Sequence, residues 1–374
     1  MRNDLPEIKQ GLKDRIETVC LQLLPDGRRQ GRLWVAHNPV TLDHDRSPEF
    51  KVALDRDIGA WKDWRTGLSG DVLGMVAYLT AGDEKDIRAA CEWGRDFLGL
   101  RHMSESERRR MAERAKAARA AAERDAARTR QRRMQSAERF FLDGAAAGTG
   151  SAAEAHARRY FAGRNCPLEH VQSLDLETFR FAAAAEYWQR AVWRNENGRR
   201  WKESPGPLLP AVLSAMRAAT GQLTAVHCTF LDPLTPKKFA VSADENAKLM
   251  FGEAKGAVIR IAHGPEGLPP ERATRPHPLI LCEGVEDGVS LAGSIPEARV
   301  WAAGMLSNLA NAPVWMGCVS QIVVSKDNDW GNRQAARQFD AAMEALERAG
   351  KPLATIASHI GKDFNDMMQD EDDE

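Results

Sequence analysis

LILCEGVEDGVSL, residues 279–291, reads as a short apolar strand from Leu279 to Cys282 that stops at Glu283-Gly284 and passes into a helix. A carboxylate placed there sits at the carboxyl edge of a parallel strand, where open α/β sheets hold their ligands. Gly284 lets the backbone turn tightly between the two elements. Downstream, QIVVS (Gln321 to Ser325) leads into Lys326-Asp327-Asn328-Asp329-Trp330-Gly331 and a helix predicted over about Asn332 to Ala349. A further strand, LATIAS (Leu353 to Ser358), is followed by Gly361-Lys362-Asp363-Phe364-Asn365-Asp366. Strand, glycine turn, helix and strand again make βαβ units, so this region is an α/β domain with a parallel sheet flanked by helices.

The three strand exits bring acids to one sheet edge. Side chains two apart, as in Asp327-x-Asp329, can converge on one hard cation, and together with Glu283 they form an oxygen donor set suited to magnesium or manganese rather than to softer metals. Asp363 and Asp366 extend the set to five carboxylates. An Asp-x-Asp in a loop is common, and an aspartate before a helix is often only an N-cap. The ordered succession of EG, DxDxxG and KDFND carries the reading, not any one motif.

Working outward, the chain of 374 residues is 43% hydrophobic and 28% charged, enough for two or three compact domains. The formal net charge of −1 conceals an arginine-rich stretch from Arg101 to Arg139 and an acidic end from Asp370 to Glu374. Four divisions follow: a mixed α+β module over 1–100, a charged helical linker over 101–150, a second mixed α/β region over 151–265, and the βαβ region over 266–374. In the first, LWVA (Leu33 to Ala36), FKVAL (Phe50 to Leu54) and GAWKDW are predicted strands, and VLGMVAYL (Val72 to Leu79) a helix with Ser69 or Asp71 near its start. Ser104 to Arg139 is rich in strong helix formers without an apolar stripe, which predicts a long solvated helix. In the third division HARRYFAGR is predicted helical, and LPAVLSAMR, LTAVHCTFL and GAVIRIA are predicted strands.

Six cysteines, Cys20, Cys91, Cys166, Cys228, Cys282 and Cys318, lie scattered without a CxxC pair or a zinc-type Cys/His spacing, so neither a disulfide framework nor a zinc finger is expected. The N-terminus lacks an apolar leader, and no run approaches the roughly 18 apolar residues of a membrane span. The expected setting is cytoplasmic.

The order of acidic motifs resembles the Toprim domain shared by DnaG-type bacterial primases, type IA and II topoisomerases and some nucleases. The stretch from Arg159 to Met368 is similar, more narrowly, to Toprim-containing primases of phages, plasmids and mobile elements. RYFAGRNCP (Arg159 to Pro167) resembles the family's RYxxxRG-P segment, His227 to Asp232 its HRTYLD-like strand, and KLMFG (Lys248 to Gly252) its KxxLG element. CEGVEDGVSL resembles EGIETALS. Cys228 stands where the family has arginine, and Asp287 where it usually has threonine; Asp287 either adds to metal binding or caps its helix. The N-terminal module is similar to the zinc-binding domain of these primases without its cysteines, so zinc is not expected.

The resemblance implies an enzyme that joins nucleoside triphosphates into short RNA primers on single-stranded DNA. Glu283, Asp327 and Asp329 would be its catalytic acids, with Asp363 and Asp366 as further metal ligands. Glu283 would either ligate the metal or accept the attacking hydroxyl's proton. Lys248, His227, Lys237, Lys238, Arg260, Lys326 and Lys362 are candidates for nucleotide or template binding. Trp34, Trp61, Trp64 and Arg65 would contact single-stranded DNA, although strand alternation turns some of these tryptophans inward. A separate replicative helicase is the expected partner, since no phosphate-binding GxxxxGK[ST] loop is present. Two other readings are a Toprim-type nuclease and a non-catalytic DNA-binding accessory protein of replication. A topoisomerase is disfavoured because Tyr78, Tyr160 and Tyr187 all lie outside the acidic region.

Overall fold

A computed structural model describes residues 4–41, 48–100, 105–196, 199–328, 333–358 and 364–366. The chain divides into two compact units, Met1–Ala127 and Arg128–Glu374. Among the described residues, no helix is long and apolar enough to cross a membrane.

The first unit opens with two helices that the sequence reading did not resolve, α1 (Leu5–Asp14) and α2 (Ile16–Leu23). Ile8 and Leu12 recur at helical spacing and are fully buried. Five short strands follow in an antiparallel sheet in chain order: β1 (Arg28–Gln30), β2 (Leu33–Ala36), β3 (Phe50–Ala53), β4 (Trp61–Asp63) and β5 (Ser69–Gly70). The predicted strands β2, β3 and β4 are all present. Helix α3 (Val72–Ala81) starts on Asp71, whose carboxylate accepts the Leu73 and Gly74 N–H groups, both at 3.0 Å. It ends at Gly82, which takes the left-handed conformation (φ 77°) of a helix C-terminus. Helix α4 (Ile87–Phe97) comes next, and α5 (Glu105–Leu142) begins in the first unit and ends in the second, its 38 residues matching the solvated helix expected there. Its last turns continue past Arg139 because Ala137 and Phe141 find an apolar cluster to enter.

In the second unit β6 (Ala145–Ala146) is followed by α6 (Ala152–Ala162), then β7 (Phe179–Glu186), and then the ribbon β8 (Val192–Glu196) and β9 (Arg199–Ser204). Next come β10 (Leu208–Arg217), β11 (Leu223–Phe230), β12 (Lys248–Gly252), β13 (Val258–Ala262) and β14 (His277–Cys282). Helix α7 (Val285–Ser294), β15 (Arg299–Ala302), α8 (Leu306–Leu309), β16 (Val319–Lys326), α9 (Arg333–Glu347) and β17 (Leu353–Ala357) complete the order. All but the ribbon strands join one ten-stranded sheet, ordered β12-β11-β10-β13-β15-β14-β16-β17, with β7 against β10 and β6 against β7. The β15-β14-β16-β17 end is parallel, as the βαβ reading requires, and the rest is antiparallel. Strand β11 is buried at all eight positions, its polar residues Thr224, His227 and Thr229 included. Helix α7 lies close on the sheet through Gly288, where a Cβ would come within 2.3 Å of Ile261 Cδ1.

Candidate active site

The parallel register sets Leu281 opposite Val324. Glu283 and Asp327 therefore leave adjoining strands, β14 and β16, at their shared carboxyl edge. Both line a cleft of about 490 Å³ and also a smaller hollow walled by Leu306, Leu309 and Phe339. Burial pushes the neighbouring Cys282 thiol well up, and the negative fields of Asp287, Asp327 and Glu283 add to it. Three carboxylates thus act on one point of the structure. The loop after β15 closes over Glu283: Gly304 N–H donates to the Glu283 carbonyl at 2.9 Å. Gly304 has φ 79°, and a Cβ there would meet Met250 Cε at 2.7 Å, so this close turn needs glycine.

Across the cleft stand Arg164, Lys238 and Lys248, with His227 and Met250 between. Lys248, the first residue of β12, donates to Glu286 Oε2 at 2.8 Å, and Lys238 Nζ lies 3.2 Å from Oε1. The Tyr160 hydroxyl of α6 donates to the same carboxylate. Glu286 is buried, which opposes its ionisation, yet the two ammonium groups and the phenol hold its pKa well below the carboxylate range. Burial also works against the Lys248 charge, and Glu286 more than offsets it, raising the Lys248 pKa. His227 is driven the other way: burial, then Lys248 and Lys238 against the opposing pull of Glu286, lowers it to about 4. It is a neutral imidazole at the cleft floor.

Glu286 was missed in the sequence, where VEDG reads as the polar start of a helix. Its role depends on residues 38 and 126 positions away, Lys248 and Tyr160, and no local pattern records them. Arg164 was likewise passed over inside RYFAGRNCP. Asp287 neither caps α7 nor stands alone: its Oδ1 accepts the Asn365 N–H at 3.0 Å. The Asn365 amide donates in turn to the Arg164 carbonyl at 2.7 Å and to Ser290 Oγ at 3.1 Å. Residues 364–366 are thereby fastened to the start of α7.

Of the expected site residues, the structure brings together Glu283, Asp327, Lys238, Lys248 and His227 in the larger cleft. Lys326 lines the smaller hollow, 5.1 Å from the Phe339 ring centre. Asp366 lies 3.6 Å from Arg164. Asp329, Lys362 and Asp363 lie outside the described residues. Lys237 is exposed on the loop before Lys238 and does not line the cleft. Arg260 is corrected: it is 2% exposed, its guanidinium held by Glu271 at 2.6 and 2.9 Å and by the Ala218 carbonyl at 2.9 Å, so it braces the sheet.

In the first unit two of the three tryptophans are also corrected. Trp34 is buried and donates to the Leu24 carbonyl at 3.3 Å. Trp61 is 3% exposed and packs on Phe50 at 4.9 Å and on Tyr78 at 5.3 Å, so it is not open to a base. Trp64 is 61% exposed with Lys62 Nζ 3.8 Å from its ring centre, and Arg65 pairs with Glu49 at 3.4 Å. The inward faces of the module take the other two rings because a small sheet has little else to fill its core.

The donor chemistry fits a hard divalent ion: Glu283 and Asp327 offer carboxylate oxygens on one rim, and Asp329 follows two residues on. Among the described residues, no group of three or more His, Cys, Asp or Glu side chains is arranged to enclose a metal by itself.

Two family profiles match the chain: one described as a Toprim domain, over residues 278–374, and one described as a domain of unknown function, DUF7146, over residues 131–261. No curated protein matches it. Among solved structures, the chain is similar to the zinc-binding and RNA polymerase domains of the Aquifex aeolicus primase, at 15% identity and a TM-score of 0.38, covering 99% of this chain and 83% of that one. A DNA primase domain from Pseudomonas aeruginosa matches at 16% identity and a TM-score of 0.40, covering 64% and 74%. The DnaG primase catalytic domain bound to ssDNA matches at 17% identity and a TM-score of 0.41, covering 65% and 77%. The profile match falls on the four parallel strands whose carboxyl edge carries Glu283 and Asp327, and residues 278–374 of this chain are a Toprim domain.

Proposed function

We propose that the chain is a DNA primase that makes short RNA primers on single-stranded DNA by magnesium- or manganese-dependent nucleotidyl transfer. The observation that carries this reading is the pairing of charges across one cleft, with Glu283 and Asp327 on one wall and Lys238 and Lys248 on the other. A triphosphate needs both, cations for its phosphate oxygens and acids to hold the ion that accompanies it. Bound by Glu283 and Asp327, with Asp329 as the next donor, magnesium would supply charge neutralisation at the reacting phosphate. Lys238 and Lys248 would hold the phosphate tail, and Glu286 keeps their ammonium groups aimed into the cleft. Arg164 would draw the template or the tail to the same side. His227, neutral and buried, shapes the floor rather than adding charge.

The accompanying proposals are those of a replication enzyme: a separate replicative helicase as partner, a phage, plasmid or other mobile element as source, and the bacterial or phage-infected cytoplasm as setting. Asp363 and Asp366 would support the metal, and Trp64 with Arg65 would contact the template. Lys237, Lys326 and Lys362 would add charge at the rim.

Incubation with single-stranded DNA, labelled ribonucleotides and magnesium tests the reading. Oligoribonucleotide products that disappear in Glu283→Gln support it. Shortened DNA in their place would make the protein a Toprim nuclease, and DNA binding without either product would make it an accessory protein.

A further inference from the structure

Among the described residues, the ribbon β8–β9 lies outside the ten-stranded sheet and pairs only within itself. All five residues of β8 are exposed, including Trp193 at 45%, and Trp201 of β9 is 37% exposed. A two-stranded ribbon is marginal in water without a surface to cover it, and exposed tryptophans add no core burial. These side chains therefore call for an explanation other than packing.

The register supplies one. Trp193 faces Lys202 and Trp201 faces Arg194, so each tryptophan sits opposite a cation, the two pairs on opposite faces of the ribbon. On the Trp193 face the Arg200 guanidinium lies 4.4 Å and the Lys202 ammonium 5.4 Å from the centre of a ring that stays 45% exposed. Lys202 reaches back to Glu186 at 2.6 and 2.7 Å, and the Gly206 N–H donates to the same carboxylate, which roots the ribbon. On the other face Arg194 is held by Glu203 at 2.6 Å, which neutralises it. The Trp193 face thus keeps an aromatic plane and a cation turned outward. Residues 192–204 carry four basic side chains against two acidic ones. The ribbon also springs from the rim of the cleft: Gln189, in the turn before β8, lines the same cavity as Glu283 and Asp327.

We infer that the β8–β9 ribbon is a binding arm for single-stranded nucleic acid, with Trp193 stacking on an unpaired base and Arg200 meeting the adjoining phosphate. Duplex bases are already stacked on one another and leave no face for Trp193, so the chemistry selects a single strand. The primase reading is needed only to call that strand the template; binding by the ribbon stands on its own composition.

Fluorescence anisotropy of the full chain with a labelled oligothymidylate of about 16 nucleotides, and with a duplex of equal length, decides the matter. Trp193→Ala and Arg200→Glu are each expected to weaken single-strand binding roughly tenfold with an unchanged melting temperature. Trp201→Ala, on the neutralised face, is expected to change it less. Unchanged affinity in both main variants, equal losses on the duplex, a larger loss in Trp201→Ala, or no single-strand binding by the wild type would each overturn the inference. Failure of primer synthesis by a wild type that binds through the ribbon would sink the primase reading and leave this one standing.

Discussion

Lys248 and Glu286 form a partly buried ion pair at 2.8 Å that joins the first residue of β12 to the first turn of α7, 38 residues apart in sequence. The same carboxylate takes Lys238 and Tyr160, so one acid organises the basic wall of the cleft. Breaking such a pair from one side leaves charge without its partner. Glu286→Gln is expected to lose about 3 kcal/mol of stability in denaturant unfolding, near the lower end of the usual range because both lysines have some solvent access. Replacing Glu286 and Lys248 together by methionine is expected to recover part of that loss. A loss in Glu286→Gln below about 0.5 kcal/mol would show that the carboxylate does not carry the wall.

Stability is expected to fall as pH is lowered, in two stages. The folded pKa of His227, about 4, lies below the ordinary value of 6.5, so its contribution is complete above 6.5 and is lost as pH falls towards 4. The difference corresponds to roughly 3 kcal/mol. Glu286, with a depressed pKa, contributes above the unfolded carboxylate value of about 4.3 and loses that contribution as pH falls through its folded value. Melting temperatures of wild type and His227→Asn measured across this range check the first stage, where the variant is expected to show a flatter slope. Parallel curves would remove His227 from the account.

Neighbouring carboxylates repel one another without a cation. Asp327→Asn is therefore expected to abolish nucleotidyl transfer while raising metal-free stability by up to about 1 kcal/mol. Millimolar magnesium is expected to raise the melting temperature of the wild type and not of Glu283→Gln combined with Asp327→Asn, since only a folded site with its acids gains from the ion. An equal magnesium shift in both proteins would place the ion elsewhere.

The first unit offers a contrast between two tryptophans three residues apart. Trp61→Ala removes a buried ring packed against Phe50 and Tyr78 and is expected to cost about 3 to 5 kcal/mol. Trp64→Ala removes an exposed ring beside Lys62 and is expected to leave stability within about 0.5 kcal/mol while weakening single-stranded DNA binding. Thermal melts and anisotropy on both variants separate the two roles.

The acidic edge was legible because its signals are local. LILC followed by EG, and QIVVS followed by KDND, each place strand, turn and acid within about ten residues, and β14, α7, β16 and α9 fall where those runs place them, as β17 falls on LATIAS. Strand β15 escaped notice because it spans four residues and begins with Arg299, a charged side chain that proves fully buried. Strand β7 hid its period in a run of alanines, FRFAAAAE. The tryptophans of the first unit were legible as aromatic but not as inward or outward, because that depends on which strand face meets α3. The basic wall was half legible: Lys248 and Lys238 stand in it, while the acid that orders them required the fold.

The lysine-bearing and acid-bearing strands belong to one hydrogen-bonded sheet, with Ile259 paired to Ala302 and Leu281 to Trp301 between them. Jaws cut from a single plate cannot swing on a hinge without tearing those pairs. The width of this cleft is consequently fixed before any ligand arrives, and amide protection along β13 and β15 should be the same with and without nucleotide. Whatever adjusts to an incoming strand must do so at the periphery, in the loop that bears Lys238 and in the arm that rises from Gln189.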